Sequence, residues 1–335
     1  MNIGITMIGA SGAGKTCYLY AMASQMAFGC NSFTFAPTDY DKGLELDEGW
    51  DDICNGKWPA GSIESSDFEF SCSHSFKEIM RFNWHDYRGG ILNGHGEDDK
   101  AEREILFAKI RESATLIICV SADMLLGVQR GDSSAAMTFR NYMRILNMYN
   151  QQTGKTIPVV FAITKADMLE NAAGSIKEGV EYLKTSYFAK FFEPNEDANL
   201  RWLIMFVPVS LGQNLGCVGG RVTGHIAPCN VHIPVLFAIR NALVVALAKC
   251  QGACSSAEDN VRASQGRLKS EKDKPWLIRI FGDKTSELSR RLDQSQGELA
   301  ALRAQERTIS QDIENITKEF IDGQALVYLN GEKVI

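Results

Sequence analysis

The first sixteen residues restrict the fold more than any other part of this 335-residue sequence. An apolar run at 3–8 (IGITMI) predicts a strand, and GASGAGKT follows at 9–16 with the spacing G-x-x-x-x-G-K-[ST]. The glycines of such a loop let consecutive backbone N–H groups turn inward at the start of a helix, where the helix dipole favours an anion. The pattern therefore predicts a strand, a phosphate-binding loop and a helix in direct succession.

The residues of this loop have separate expected roles. Lys15 would contact the β- and γ-phosphates of a nucleotide and support catalysis, and the Thr16 hydroxyl would coordinate Mg²⁺. Ser11 would place its side chain near the γ-phosphate. The residues predicted to bind the nucleotide here are Gly9, Ser11, Gly12, Ala13, Gly14, Lys15, Thr16 and Cys17.

Short β-branched runs alternate with longer helix-like segments as far as about residue 250. This alternation predicts an α/β fold with a mostly parallel sheet flanked by helices. Such a sheet binds ligands outside the carboxyl ends of its strands, so functional motifs should follow the strands directly. Strands are predicted at 3–8, 67–72, 79–85, 114–120, 157–163 and 202–209, and helices are predicted to begin near Lys15, Tyr40, Asp99, Ser134, Ser175 and His232.

A second motif, DYRGG, begins directly after the predicted strand at 79–85. Asp86 at this strand end would hold Mg²⁺, and the N–H of Gly89 would reach a γ-phosphate. Taken alone, the D-x-x-G spacing is equally typical of an ordinary turn rich in Gly and Asp. Its position after the phosphate loop favours the metal-binding interpretation.

A third motif, TKAD at 164–167, follows the predicted strand at 157–163. The Asp carboxylate would accept hydrogen bonds from N1–H and N2–H of guanine, a pair of donors that adenine lacks, and the Lys stem would lie along the base. A capped helix start is the alternative interpretation. A serine after the predicted strand at 202–209 would approach the guanine carbonyl. The residues predicted to bind the base are Thr164, Lys165, Asp167, Ser210 and Leu211.

In order and placement these four elements resemble those of the TRAFAC class of P-loop GTPases, which includes Ras-like and translation-factor-like proteins. There they are the phosphate loop, the D-x-x-G switch, the [N/T]-K-x-D base reader and the S-A-x loop. The segments GKWPAGS at 56–62 and FNWHDYRGG at 82–90 are most similar to the bacterial double-GTPase (DO-GTPase) type, a family linked to multi-component conflict or signalling systems. The resemblance covers residues 1 to about 250, and it implies a Ras-like G domain that binds GTP or GDP with Mg²⁺.

The sequence departs from the family pattern beside the second motif. Gly90 stands where Ras-like proteins often carry the glutamine that positions the attacking water. Intrinsic hydrolysis should therefore be slow, unless Arg88, His95 or an arginine from a partner assists. For Arg88, a catalytic role and a solvated loop charge are equal alternatives.

The first switch has no clear motif, because 70 residues separate the phosphate loop from Asp86. Thr34, Thr38 and Ser62 are candidates for the residue that closes on Mg²⁺. We favour Ser62, since its loop would fold back over the nucleotide just before the next strand. Ser62 is therefore predicted to bind the metal together with Thr16 and Asp86, and to support catalysis.

Composition changes after about residue 250, where 27 of the last 85 residues are charged. Apolar positions alternate at intervals of three and four along 243–268 and again along 288–320, which is typical of paired helices. The predicted domains are a GTP-binding domain at 1–250 with an extended first-switch region, and a coiled-coil-like antiparallel helical hairpin with a terminal strand and turn at 251–335.

The hairpin is the expected contact for a protein partner or for a second copy of the chain. Its predicted turn, KPWLIRIFGDK at 274–284, is apolar and flanked by basic residues. The cluster Trp276–Phe281 would contact a partner or an anionic membrane surface. Alternatively, the hairpin folds back and buries it, or it pairs with the predicted strand and Asn-Gly turn at 325–335.

Bulk composition narrows the partners further. A net charge of −6 argues against nucleic-acid binding, which depends on clustered Lys and Arg. The nine cysteines have no zinc-finger or disulfide spacing, and we expect reduced thiols in the cytoplasm. The start of the sequence has no basic region of a secretion signal, and the apolar stretch at 233–248 is interrupted by Arg240 and Asn241, so no membrane span is expected.

These observations favour a Mg²⁺-dependent GTP-binding switch with slow or partner-stimulated hydrolysis that signals through its hairpin. Two alternatives stay open. One is a scaffold that binds nucleotide with negligible turnover, which the missing glutamine makes credible. The other is an ATPase of the same fold, because the preference for guanine depends mainly on Asp167.

Overall fold

The structure is a computed structural model that describes residues 2–59, 65–87, 97–171, 176–218, 221–273 and 284–335. The chain forms two compact units, Met1–Ile239 with Lys318–Ile335, and Arg240–Thr317. This division differs from the expected boundary at residue 250. The last eighteen residues belong to the first unit because the terminal strand pairs with its sheet.

The strands follow the predicted runs closely, and three further strands, β2, β8 and β9, were not predicted from the sequence. They are β1 (Asn2–Gly9), β2 (Phe33–Pro37), β3 (Ser66–His74), β4 (Lys77–Asp86), β5 (Ser113–Ser121), β6 (Val159–Thr164), β7 (Leu203–Pro208), β8 (Ser210–Val218), β9 (Arg221–Cys229), β10 (Leu326–Leu329) and β11 (Glu332–Lys333).

Within the described ranges, one mixed sheet has the strand order β11-β10-β7-β6-β5-β1-β4-β3-β2. The five strands from β7 to β4 are mutually parallel, and antiparallel strands extend the sheet at both edges. The predicted parallel sheet is therefore confirmed at the centre. The two neighbours of β1, β4 and β5, follow one another in the chain but lie on opposite sides of β1. The carboxyl end of β1 is therefore a topological switch point, where sheets of this type bind ligands.

Helices flank the sheet, and most begin where the sequence predicts. They are α1 (Lys15–Phe28), α2 (Tyr40–Cys54), α3 (Glu97–Glu112), α4 (Ala122–Gln129), α5 (Ser133–Thr153), α6 (Asp167–Asn171), α7 (Ile176–Ser186), α8 (Ile233–Lys272) and α9 (Thr285–Asp322), with 3-10 turns at Ala189–Phe191 and Ala198–Leu200.

The core lies around the central strands, since β6 is buried along its whole length and β5 along nearly all of it. Such continuous apolar strands are typical of a parallel sheet covered on both faces. Phe161 of β6 stacks on Phe206 of β7 with ring centroids 4.9 Å apart, and Phe139 and Tyr142 of α5 join the same cluster. Each such buried aromatic side chain contributes about 1.5–3 kcal/mol to folding.

The terminal segment extends the main sheet. β10 pairs antiparallel with β7, with Val327 opposite Met205. Asn330 and Gly331 have φ values of 51° and 86°, which a tight turn between antiparallel strands requires. The sequence therefore predicted the strand and the Asn-Gly turn, and the structure supplies the partner strand.

A separate two-stranded ribbon, β8–β9, is also part of the first unit. The second unit consists of parts of α8 and α9, which run antiparallel. Arg240 donates to the Thr317 hydroxyl at 2.9 Å, and the Cys250 thiol donates to the Leu302 carbonyl at 3.4 Å. Positions of the predicted seams are the least exposed ones, including Cys254, Val261 and Ile309, as a paired-helix arrangement requires.

The helix α8 is long and apolar enough to cross a membrane by length and composition alone. Buried core helices of soluble proteins meet the same criterion, and 56% of its most apolar window is buried in the structure.

Candidate nucleotide-binding site

The loop between β1 and α1 has the backbone that its glycines were predicted to supply. Gly12 and Gly14 have φ values of 75° and 81°, in the left-handed region that side chains rarely adopt. The N–H of Ala13 donates to the Ala10 carbonyl at 3.1 Å and closes the turn. Ser11 and Gly12 are exposed at its tip, so the loop is open to a ligand.

Lys15 lies back across this loop. Its Nζ donates to the carbonyls of Gly9 at 3.0 Å and Ala10 at 3.4 Å, and only 6% of the residue is exposed. A buried ammonium group that donates to two neutral carbonyls forms stronger hydrogen bonds when an anion replaces them, because hydrogen bonds between charged partners are roughly twice as strong. The geometry keeps a positive charge beside the loop in advance of a ligand.

Two distant side chains support the loop from outside. The N–H of Ala10 donates to the Tyr142 hydroxyl at 2.9 Å, and the Thr164 hydroxyl donates to the Ala13 carbonyl at 2.7 Å. Tyr142 is fully buried, and burial raises the pKa of its hydroxyl well above the ordinary value. Helix α5 and the end of β6 therefore hold both sides of the loop, and the sequence had not pointed to Tyr142.

Asp86 ends β4, opposite Met7 of β1, and it is 6% exposed. Burial raises the pKa of its carboxyl from 3.8 to about 6, although the positive charge of Lys15 acts in the opposite direction. Among the residues that the structure describes, its Oδ1 atom has no hydrogen-bond partner. A buried carboxylate oxygen of this kind is a suitable cation ligand. Thr16, the second residue of α1, offers a hydroxyl oxygen as another candidate ligand.

Asp167 begins α6 and is 8% exposed. Its Oδ1 atom accepts a hydrogen bond from the Ser210 hydroxyl at 3.1 Å, and the N–H of Ala166 donates to the Val209 carbonyl at 3.2 Å. The third and fourth motifs are therefore joined. Leu211 is the next residue of β8 and is partly buried.

Lys165 has a φ of 54°, and its Nζ forms an ion pair with the Asp123 carboxylate of α4 at 3.1 Å. This pair directs the lysine side chain toward α4 and was not expected from the sequence. Cys17 has a thiol pKa raised to about 11, mainly by burial, with the charge of Lys165 acting to lower it. A thiol with this pKa is protonated at neutral pH.

Some predicted site residues lie outside the described ranges, namely Ser62, Arg88 and Gly89. The two other candidates for the first switch are described. Thr34 is inside β2, and the Thr38 hydroxyl donates to the Glu69 carboxylate at 3.1 Å. The four motifs nevertheless share one location, at the carboxyl ends of the parallel strands β1, β4, β6 and β7. Their residues are 9–17, 86, 164–167 and 210–211.

No family model and no curated protein matches this sequence. Among solved structures, a protein from Thermus thermophilus aligns over 59% of this chain and 24% of its own length, with 13% identity and a TM-score of 0.31. The S. cerevisiae Ski7 GTPase-like domain, solved bound to GTP, aligns over 63% of this chain and 43% of its own length, with 12% identity and a TM-score of 0.35. This chain therefore covers less than half of either structure, and likenesses at this level assign no function to it.

Proposed function

We propose that this chain binds a guanine nucleotide with Mg²⁺ at the edge of the sheet and hydrolyses GTP slowly to GDP and phosphate. The main support for the proposal is the hydrogen bond from the Thr164 hydroxyl to the Ala13 carbonyl. It ties the segment containing Asp167 to the phosphate loop, so that a base reader and a phosphate cradle are held in one fixed arrangement.

At the phosphate end, Lys15 and the inward N–H groups of the loop would hold the triphosphate. Lys15 would exchange the carbonyls of Gly9 and Ala10 for phosphate oxygens. Thr16 and Ser62 are the proposed direct ligands of Mg²⁺, and Asp86 would hold the ion through a water molecule. When bound, Mg²⁺ neutralises phosphate charge. The unpartnered oxygen of Asp86 supports its part in this set.

At the base end, Asp167 would accept the N1–H and N2–H of guanine. Ser210 already donates to one oxygen of this carboxylate and holds its orientation. Adenine offers no such pair of donors, so an ATP complex would lack the two hydrogen bonds that guanine makes to this carboxylate. A hydrogen bond to a charged group contributes about 1.5–3 kcal/mol, which is a factor of about 10–150 in affinity.

In the proposed hydrolysis, water adds to the γ-phosphorus while the bond to the β-γ bridging oxygen breaks, and GDP leaves with phosphate. With Gly90 at the usual glutamine position, no side chain of the known pattern orients this water. We therefore propose slow intrinsic turnover, with Arg88 or a partner's arginine stabilising the transition-state charge.

Direct titration tests the binding proposal. Nucleotide-free protein should bind GDP and GTP at least about tenfold more tightly than ATP, and Lys15→Ala should abolish binding. Lys155→Ala is the matched control, because this lysine is exposed and precedes β6, at the opposite end of that strand from Thr164. Equal affinity for ATP would instead assign an ATPase, and single-turnover hydrolysis no faster than that of the nucleotide alone would assign a scaffold.

We further propose that the nucleotide state is passed to a protein partner, or to a second copy of the chain, through α8 and α9, in a cytoplasmic signalling or conflict system of the DO-GTPase type. The turn with Trp276–Phe281 lies outside the described residues. Deletion of 275–281 should leave GTP binding intact and weaken assembly or association with anionic vesicles. Unchanged behaviour in both assays would refute this role for the turn.

A further inference from the structure

A second cluster of ligand-type side chains lies away from the phosphate loop. Cys30 follows α1, His232 directly precedes α8, and Glu319 is in the last turn of α9. One potential ligand atom from each of the three residues lies within 4.8 Å of the others. All three residues belong to the first compact unit.

Two of the separations between these atoms match those in a tetrahedral zinc site. His232 Nε2 is 3.7 Å from Cys30 Sγ and 3.2 Å from Glu319 Oε2. With Zn–S of about 2.3 Å and Zn–N and Zn–O of about 2.0 Å, tetrahedral angles place sulfur about 3.5 Å and oxygen about 3.3 Å from the nitrogen. The distances from the imidazole nitrogen to the sulfur and to the carboxylate oxygen therefore fit ligation of one zinc ion, and the sulfur and the carboxylate oxygen lie within 4.8 Å of each other.

Hydrogen bonding alone does not satisfy this arrangement. The nitrogen Nε2 carries either one hydrogen or one lone pair in the ring plane, yet two acidic side chains converge on it. A cation at the centre of the cluster would interact favourably with all three side chains at once.

The surroundings hold the three side chains in place. The Asn31 amide Nδ2 donates to both carboxylate oxygens of Glu319 at 2.9 Å, as second-shell partners of metal ligands do. Cys30 exchanges two backbone hydrogen bonds with Phe33, of 2.8 and 2.9 Å, which fixes its position after α1. The side chains of His232 and Glu319 are only 9% and 7% exposed.

We propose that Cys30, His232 and Glu319 bind one Zn²⁺ ion, with a water molecule as the fourth ligand. A thiolate with an imidazole and a carboxylate selects zinc over Mg²⁺, which prefers oxygen ligands. Zn²⁺ would bind the thiolate and the neutral imidazole, so the protons that the thiol and Nε2 carry in the free protein would be released to solvent. The ion would connect the loop after α1 with the start of α8 and the end of α9. Helix α1 is the helix that begins at Lys15 of the phosphate loop.

Metal retention in the full-length, reduced protein tests this site. After loading with Zn²⁺ and dialysis, the wild type should retain about one ion per chain. Cys30→Ser and His232→Gln should reduce retention to background, and Cys54→Ser, which removes an exposed thiol elsewhere, should not. Asn31→Ala should weaken zinc affinity about 10–100-fold, because the amide only positions the carboxylate.

Cobalt provides a second readout that needs no variant to fold. Co²⁺-loaded wild-type protein should show thiolate-to-metal charge-transfer absorption together with the visible bands of a tetrahedral site. Absence of both features, or zinc retention by the wild type no higher than by Cys30→Ser, would overturn the proposal. Neither readout depends on nucleotide, so failure here is distinguishable from failure of the proposed GTP site.

Discussion

Replacing Asp86 by asparagine should stabilise the nucleotide-free protein while it weakens Mg²⁺-dependent nucleotide binding. Burial raises the pKa of this carboxyl from 3.8 to about 6. The folded state therefore holds the proton more tightly than the unfolded state, and stability falls as pH rises through this window. Above it, the buried charge costs about 3 kcal/mol of unfolding free energy.

The dependence on pH separates this cost from other effects of the new amide. The advantage of Asp86→Asn over the wild type should grow by about 1.4 kcal/mol between about pH 5 and pH 7.5. Urea denaturation in the presence of EDTA, with nucleotide removed, measures it at each pH. Asp51→Asn, at an exposed position on α2, is the control for loss of an aspartate.

If the difference in unfolding free energy between Asp86→Asn and the wild type is the same at both pH values, the inference that burial raises the pKa of Asp86 is refuted. In the presence of Mg²⁺, the same variant should bind GTP about 10–100-fold more weakly, as loss of a carboxylate that acts on the metal through water predicts. Wild-type affinity should likewise fall as pH drops below about 6, since protonated Asp86 no longer attracts the cation.

Three further substitutions test how the site is held together. Tyr142→Phe removes the acceptor of the Ala10 N–H and should lower stability by about 1–3 kcal/mol in denaturant unfolding, with base preference unchanged. Ser210→Ala removes the donor to Asp167 and should weaken GDP binding about 2–12-fold in calorimetry. Gly14→Ala, at a φ of 81°, should cost about 1–2 kcal/mol of stability and also weaken triphosphate binding. A change in unfolding free energy of less than about 0.5 kcal/mol would contradict the contact assigned to Tyr142 or, for the glycine variant, the backbone strain.

Local patterns explain how much of the site could be predicted. The loop at 9–16 carries its strand, glycines and helix start in adjacent residues, and Asp86 and Asp167 each follow an apolar strand directly. Because parallel strands place their carboxyl ends at one edge, strand prediction alone brings these residues together.

The remaining contacts depend on register and helix orientation, which no short pattern contains. Tyr142 meets Ala10 across 132 positions, and Lys165 meets Asp123 across 42. The ribbon β8–β9 was missed because its glycine-rich sequence has little strand propensity. The C-terminal strand was predicted, but its pairing with β7 was not, since a strand does not specify its partner.

The cluster of Cys30, His232 and Glu319 escaped prediction for the same reason. Its members are separated by about two hundred and by 87 positions, with none of the spacings by which zinc motifs are recognised. Only the packing of the ends of α8 and α9 within the first unit brings them together.

The measurement that tests the central proposal most directly is base selectivity of Asp167→Asn. Asparagine retains an acceptor but offers an amide donor, which suits the C2 carbonyl of xanthine and not the amino group of guanine. Competition binding should therefore show wild-type protein preferring GDP over xanthosine diphosphate, and the variant preferring xanthosine diphosphate over GDP. A variant that keeps the wild-type order of affinities would show that Asp167 does not read the base, and the proposed guanine site would be wrong.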